Sequence, residues 1–192
     1  MSDQPTPREV LLFWFGGPAE QGKRHKRWFE KDITFDREIR SRFLPVYEKA
    51  AGGQLAHWKE RAADCLALIV VLDQFPRNMF RGTARVFAAD PLALEAARHA
   101  VAQGFDRTLL PVERLFVYLP FEHSERLEDQ LRACELMEPL KTFPDTADTY
   151  RYAEAHRDII QRFGRFPHRN AALGRTSTVE EIEFLKQPGS GF

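Results

Sequence analysis

The longest apolar run in the chain, "CLALIVVL" from Cys65 to Leu72, lies inside "WKERAADCLALIVVLDQ", Trp58 to Gln74. Taken alone, "LIVVL" passes for a strand. The length of the whole segment and its alanine- and leucine-rich flanks favour a buried helix instead. A helix that is apolar on every side must be covered on every side, so the rest of the chain has to pack around it. The run falls well below the ~20 residues that cross a bilayer, which excludes a membrane span. Phe75-Pro76 follows, and a residue before proline avoids helical geometry, so the helix is expected to stop at Phe75.

Other segments carry helical punctuation. "DPLALEAARHAVAQG" offers Asp90 as N-cap, Pro91 at the first helical position and Gly104 beyond the last turn. "SERLEDQLRACELMEPL" opens on Ser124 as a cap, and Leu127, Leu131, Cys134 and Met137 or Glu138 trace one stripe. "DTADTYRYAEAHRDIIQRFG" ends at Gly164. "STVEEIEFL" predicts a capping box between Ser177 and Glu180. Phe35 to Ala51 and Thr83 to Ala89 also read as helical. No period-two alternation, linker or low-complexity tract interrupts this pattern. The expected architecture is all-α, a single compact multi-helix domain over residues 1–192.

Composition narrows the partners. Lys plus Arg and Asp plus Glu both total 28, so no chain-wide basic field exists to draw nucleic acid or anionic lipid. The hydrophobic fraction is 43% and there are 16 phenylalanines, which predicts an aromatic-rich globular interior. Cys65 and Cys134 form neither a CxxC pair nor a metal spacing and suit a reducing compartment. The opening Met1 to Pro5 has no basic n-region, and "VLLFWF" is too short for a signal-peptide core, so a cytoplasmic protein is expected.

Polar residues that need explaining cluster late. "RFGRFPHRNAALGRTST", Arg162 to Thr178, carries Arg162, Arg165, Arg169 and Arg175 beside His168 and Asn170. Guanidinium forks near a helix N-terminus suit phosphate or carboxylate; equally, they can bind helix carbonyls and acids such as Asp73 and Glu122. A shorter echo, "FPRNMFRGT", presents Arg77 and Asn78 after the same Phe-Pro turn. Asp73, placed in the last turn of an apolar helix, meets the negative end of the macrodipole and needs a cation; Arg77, Arg165 and Arg169 are the candidates. Glu122, His123, Ser124 and Glu125 gather around a predicted helix start, and Glu beside His suits acid–base work as well as capping. His156 shares a face with Tyr152, Ile159, Ile160 and Phe163 and points inward, either as a satisfied core histidine or as an acid–base group. The basic run "GKRHKRWFEKD" from Gly22, broken by acids, reads as a solvated loop ahead of core-like Trp28 and Phe29. Neither HExxH nor paired ExxH spacing occurs on a helix, and no P-loop, dinucleotide fingerprint or nucleophile elbow is present, so no metal and no cofactor are expected.

Several of these stretches, "LLFWFG" at Leu11, "LDQFPRNMFRG" at Leu72, "FAADPLAL" at Phe87, "PFEHSE" at Pro120 and "HRDIIQRFGRFPHRNAALGRTSTVEEIEFL" at His156, resemble the bacterial domain-of-unknown-function family 924. The resemblance covers nearly the whole chain. It implies an all-helical fold with a TPR-like arrangement, although no TPR consensus is visible. It carries over no catalytic set.

The expectation drawn from the residues is one polar pocket. Asp73, Arg77, Asn78, Arg165, His168, Arg169 and Asn170 would hold a small phosphate- or carboxylate-bearing molecule, with His123, His156 and Glu122 as acid–base groups. The competing expectation is a TPR-like module that takes a protein or peptide partner while the same polar groups lock its turns.

Overall fold

The computed structural model describes residues 5–191. Residues 1–4, part of the stretch read for a leader, and residue 192, the end of the expected domain, lie outside the described residues. Among the described residues every regular element is helical, so the all-α class holds. The α-helices are α1 (Pro7–Phe15), α2 (Ile33–Ala51), α3 (Ala62–Ile69), α4 (Phe75–Met79), α5 (Asp90–Ala102), α6 (Pro111–Glu122), α7 (Leu127–Met137), α8 (Thr149–Phe163) and α9 (Val179–Leu185).

The apolar run lies at the centre. Cys65 to Ile69 of α3 are all buried, and α3 touches α1, α5 and α6. Aromatic rings fill the joints between layers: Trp14 of α1 lies 5.7 Å from Phe75 and 5.6 Å from Phe116, both edge-on, and 5.9 Å from Phe35. Such ring pairs add about 0.5–1.5 kcal/mol each beyond the area they bury. A satellite cluster of Ile159, Ile160 and Phe166 fastens α8 to the late segment.

The helix does not stop at Phe75. From Val70 to Gln74 the backbone widens into a π turn, closed by the Phe75 N–H on the Val70 carbonyl, and α4 then runs on through Pro76. Proline in an α-helix clashes with the carbonyl four residues back; the wider turn displaces that carbonyl, and Phe75 takes helical angles (φ -58°, ψ -38°) despite preceding Pro76, so the helix continues. Asp73 is therefore inside a continuous, fully buried helical segment rather than at its frayed end.

Other boundaries move for local reasons. Ser124 caps no helix: α6 extends to Glu122 and α7 begins at Leu127, while the Ser124 hydroxyl donates to Asp129 at 2.7 Å and accepts the Arg126 N–H. The buried face of α7 carries Asp129, Gln130, Ala133, Cys134 and Met137, so Leu127 and Leu131 of the expected stripe are turned to solvent. Asp90 is the first helical residue rather than the cap, and its carboxylate is used elsewhere. Ala84–Phe87 is a 3-10 turn.

The last capping box is displaced by one residue. Thr178 accepts the Glu181 N–H, and the Glu181 carboxylate takes the Thr178 N–H at 2.7 Å. Both Ser177/Glu180 and Thr178/Glu181 have the required spacing; Glu181 wins because it is buried and also receives Arg165 and Asn170. Thr178→Ala should cost about 1 kcal/mol, and Ser177→Ala less. Urea unfolding of both variants checks this, and equal losses would contradict the assigned cap.

Candidate functional site

A cavity of about 620 Å³ opens between α4, α6, α8 and the turn at Pro167–Arg169. Its polar wall is set by helix register. Glu122 and His123 close α6, Gln74 ends the π turn and Arg77 follows it on α4, and His156 lies a turn beyond Tyr152 on α8. His168 and Arg169 enter from the late segment, where the αL glycine Gly164 (φ 68°) ends α8 and Phe166 leads into a short 3-10 turn.

Asp73 is the buried anchor beneath this wall. It is 0% exposed, and its oxygens meet His123 Nδ1 at 2.8 Å, Gln74 Nε2 at 2.6 Å and Arg77 Nη1 at 3.3 Å. Burial works against its ionisation, yet the Arg77 charge and then the His123 ring hold its carboxyl well below the usual range. A carboxylate can only accept, so the proton of His123 sits on Nδ1 and Nε2 is left as the ring's basic nitrogen. Burial, then Arg77, keep the His123 pKa below its ordinary value, so the ring is neutral near pH 7.

Glu122 and His156 form a second pair. His156 Nδ1 lies 2.8 Å from the Tyr152 carbonyl and 3.1 Å from Glu122 Oε1. The carbonyl also only accepts, so this ring too carries its proton on Nδ1. Burial pushes the Glu122 carboxyl up to about 8, with the Asp73 charge adding to the effect, and burial drives His156 down to about 3. Near neutral pH the pair is a protonated acid beside a neutral imidazole. His168, pushed to about 4 by burial and the Arg169 charge, is neutral as well.

The charge on this wall resides in Arg77 and Arg169, and both lean on one carboxylate. Arg77 donates to Asp90 at 3.0 and 3.2 Å and also to the Asp73 carbonyl. Arg169 reaches Asp90 only at 3.5 Å and gives its other end to the His123 carbonyl at 2.9 Å. Its guanidinium is clamped between the rings of Phe87 and Phe166, 4.6 and 4.5 Å from their centroids, and Nε has no hydrogen-bond partner. Burial and the neighbouring Arg77 bring its pKa down to about 10. It remains charged at neutral pH.

The expected residues thus divide. Arg77, Asn78, Glu122, His123, His156, His168 and Arg169 line the cavity, with Asp73 behind them. Asn78 nevertheless spends its amide on Asp36 at 2.8 Å. Arg165 faces away and makes a two-pronged bond to Glu181 at 2.6 and 2.8 Å. Asn170, buried, is held among Ser177, Glu181 and Arg175, and Arg175 is taken by Glu125 at 2.7 Å. The arginine-rich segment is therefore split between an inward half and an outward half that ties α9 and the α6–α7 connection together.

Sequence reasoning missed Gln74 and Asp90 and the apolar lining of Leu115, Leu119, Trp28 and Phe29. The cap reading of Asp90 conceals what its carboxylate does, which is to accept from Arg77 and Arg169. The basic run before Trp28 is also less solvated than expected: Arg24 pairs with Asp148, Arg27 donates to the Phe13 carbonyl at 3.0 Å, and Phe29 is half exposed. Among the described residues no group of three His, Cys, Asp or Glu side chains is placed to hold a metal, and no helix is long and apolar enough to cross a membrane.

Comparison with known proteins agrees with this architecture. No curated protein matches the chain. The solved structure of ATU0120, a protein of unknown function from Agrobacterium tumefaciens, is 43% identical, covers 94% of this chain and 96% of its own, and superposes with a TM-score of 0.83. The model of a bacterial protein family of unknown function, DUF924, matches residues 10–189. With nearly the full length matched, the chain belongs to the DUF924 family.

Proposed function

We propose that the chain works as one cytoplasmic α-helical domain, residues 1–192, whose cavity binds a small carboxylate- or phosphate-bearing molecule. The observation that carries this reading is Arg169. A guanidinium has five N–H donors, yet here one carboxylate is shared with Arg77, contact to it is stretched to 3.5 Å, and Nε is unpaired. An incoming anion fills that deficit. His123 Nε2, with Asp73 fixing the tautomer, is the proton acceptor beside it, and protonated Glu122 is the reserve donor. Arg165 and Asn170, placed in the outward network, support the segment that carries Arg169 rather than touch the ligand.

A thermal-shift series with inorganic phosphate, acetate and succinate tests the reading. An anion at a hundred times its Kd adds about 2.7 kcal/mol, which for a chain of this size raises Tm by roughly 5–10 °C. Arg169→Gln, which keeps a polar planar group between the two rings, should retain the ligand-free fold and abolish the rise. Equal shifts in the wild type and Arg169→Gln would rule Arg169 out as the anchor.

A second reading, a TPR-like helical module taking a peptide or protein, has one observation in its favour. Leu127 and Leu131, a helical turn apart on α7, are 41% and 49% exposed. It takes precedence if no anion changes Tm.

A further inference from the structure

The same cavity has an apolar end beside its polar wall. On α6 the residues that face it are Leu115, Leu119, Glu122 and His123, the spacing of one helical face. Seven residues at 1.5 Å rise put Leu115 roughly 10 Å from Glu122 along the axis. The face therefore runs from aliphatic to ionisable within the cavity.

α8 lines the same space with Thr149, Tyr152 and His156. Glu122 and His156 meet at 3.1 Å at one end. At the other end Asp148, just ahead of α8, holds Arg24, whose guanidinium lies 4.9 Å from the Phe29 ring centroid. Trp28 and Phe29 in turn pack on Phe116, the neighbour of Leu115, at 4.8 and 6.5 Å between ring centroids. The two helices thus lie side by side with their matching ends together. Trp28, Phe29 and Leu115 mark the apolar end, with the Asp148-bound Arg24 beside Phe29, and Arg77, His123 and Arg169 the polar end.

Resting on the anion-binding reading above, we infer that the ligand is amphipathic: one carboxylate or phosphate head at Arg77 and Arg169, and an apolar arm roughly 10 Å long lying along Leu119 and Leu115 toward Trp28 and Phe29. A purely polar metabolite would leave the apolar wall wet. An uncharged one would leave the Arg169 donors unfilled, which costs free energy in a buried setting. An extended chain of about eight carbons spans the distance.

Isothermal titration with straight-chain carboxylates from butanoate to dodecanoate, alkyl phosphates of the same lengths, and 1-octanol tests the inference. Affinity should rise about three- to fourfold per added methylene up to about eight carbons and then level off. The stronger of the two head-group series identifies the head. Phe29→Gln, a half-exposed position, should weaken octanoate at least fivefold and leave acetate unchanged, whereas Arg169→Gln should weaken every anion. Butanoate and octanoate binding equally tightly, both lost in Arg169→Gln, would overturn the amphipathic ligand and leave the anion site standing. Octanol binding as tightly as octanoate would overturn the charged head. Binding of none of these probes overturns both.

Discussion

Asp73→Asn is expected to destabilise the protein by about 3–5 kcal/mol, the cost of breaking a buried ion pair by removing one partner. The substitution keeps the shape and removes the charge. Arg77 then has Asp90 as its one carboxylate, already shared with Arg169, and the new amide turns a donor toward the Gln74 or His123 donors that Asp73 now accepts. Tm should fall by roughly 10 °C or more. Glu122→Gln at pH 6 is the informative contrast: the Glu122 carboxyl is already protonated there, so exchanging it for a neutral amide should change stability by less than about 1 kcal/mol. Both carboxylates are deeply buried, so equal effects would mean that burial alone, and not charge state, sets their roles.

The second large effect is on pH. Folded His156 and His168 titrate at about 3 and about 4, and His123 is shifted the same way, whereas in the unfolded chain all take up protons near pH 6.5. Their contribution is present above pH 6.5 and is lost as pH falls below it. Glu122 acts in the opposite sense: its folded pKa of about 8 lies above its unfolded value, so its contribution is complete in acid and is lost as pH rises to about 8. Between pH 4.5 and 6.5 the imidazoles outnumber the carboxyl, and above 6.5 Glu122 acts alone among these groups. Stability should therefore peak near pH 6.5 and drop by about 1–2 kcal/mol at pH 8 and by more at pH 5, where several imidazoles act together, at ~1.4 kcal/mol per proton per pH unit. Urea unfolding across this range measures the profile. Glu122→Gln should flatten the alkaline limb and steepen the acid one, because Glu122 opposes the imidazoles between pH 4.5 and 6.5; a flat profile in the wild type would show that these groups titrate normally.

The helical class was legible because it rests on period and punctuation. The all-apolar run at Cys65–Leu72, the Asp90-Pro91 start and Gly164 each act through a few neighbouring residues. Helix ends were less legible wherever more than one residue could serve. Ser177 and Thr178 offer the same cap, and the choice depends on Glu181 being pulled inward by Arg165 and Asn170, a tertiary effect. Ser124 looked like a cap because the turn ending α6 and the start of α7 share its chemistry.

The cavity's polar wall was partly readable for a similar reason. A carboxylate in an apolar helix must find a cation, and Asp73 finds Arg77; that His123 would approach it more closely than Arg77 does required knowing that α6 ends beside the π turn. The arginine-rich segment announced itself by composition, but its members serve opposite sides: Arg162, Arg165 and Arg175 bind acids away from the cavity, and Arg169 lines it. Arg169 points in and Arg165 out, a division decided by the turn at Phe166-Pro167 and not by residue type. The apolar end left no mark of its own, since Leu115, Leu119 and Trp28 are indistinguishable from core residues until the space in front of them is seen.

The π turn at Val70–Gln74 sets a limit on how this chain can vary. Each residue of a helix advances its neighbours by about 100° around the axis, so inserting or deleting one position between Val70 and Gln74 would swing Arg77 and Asn78 away from the hollow they face. The apolar side chains there, Val70 to Leu72, can be exchanged for others of similar volume; the number of links cannot. What this short stretch preserves is a count of residues, and the aim of everything downstream depends on it.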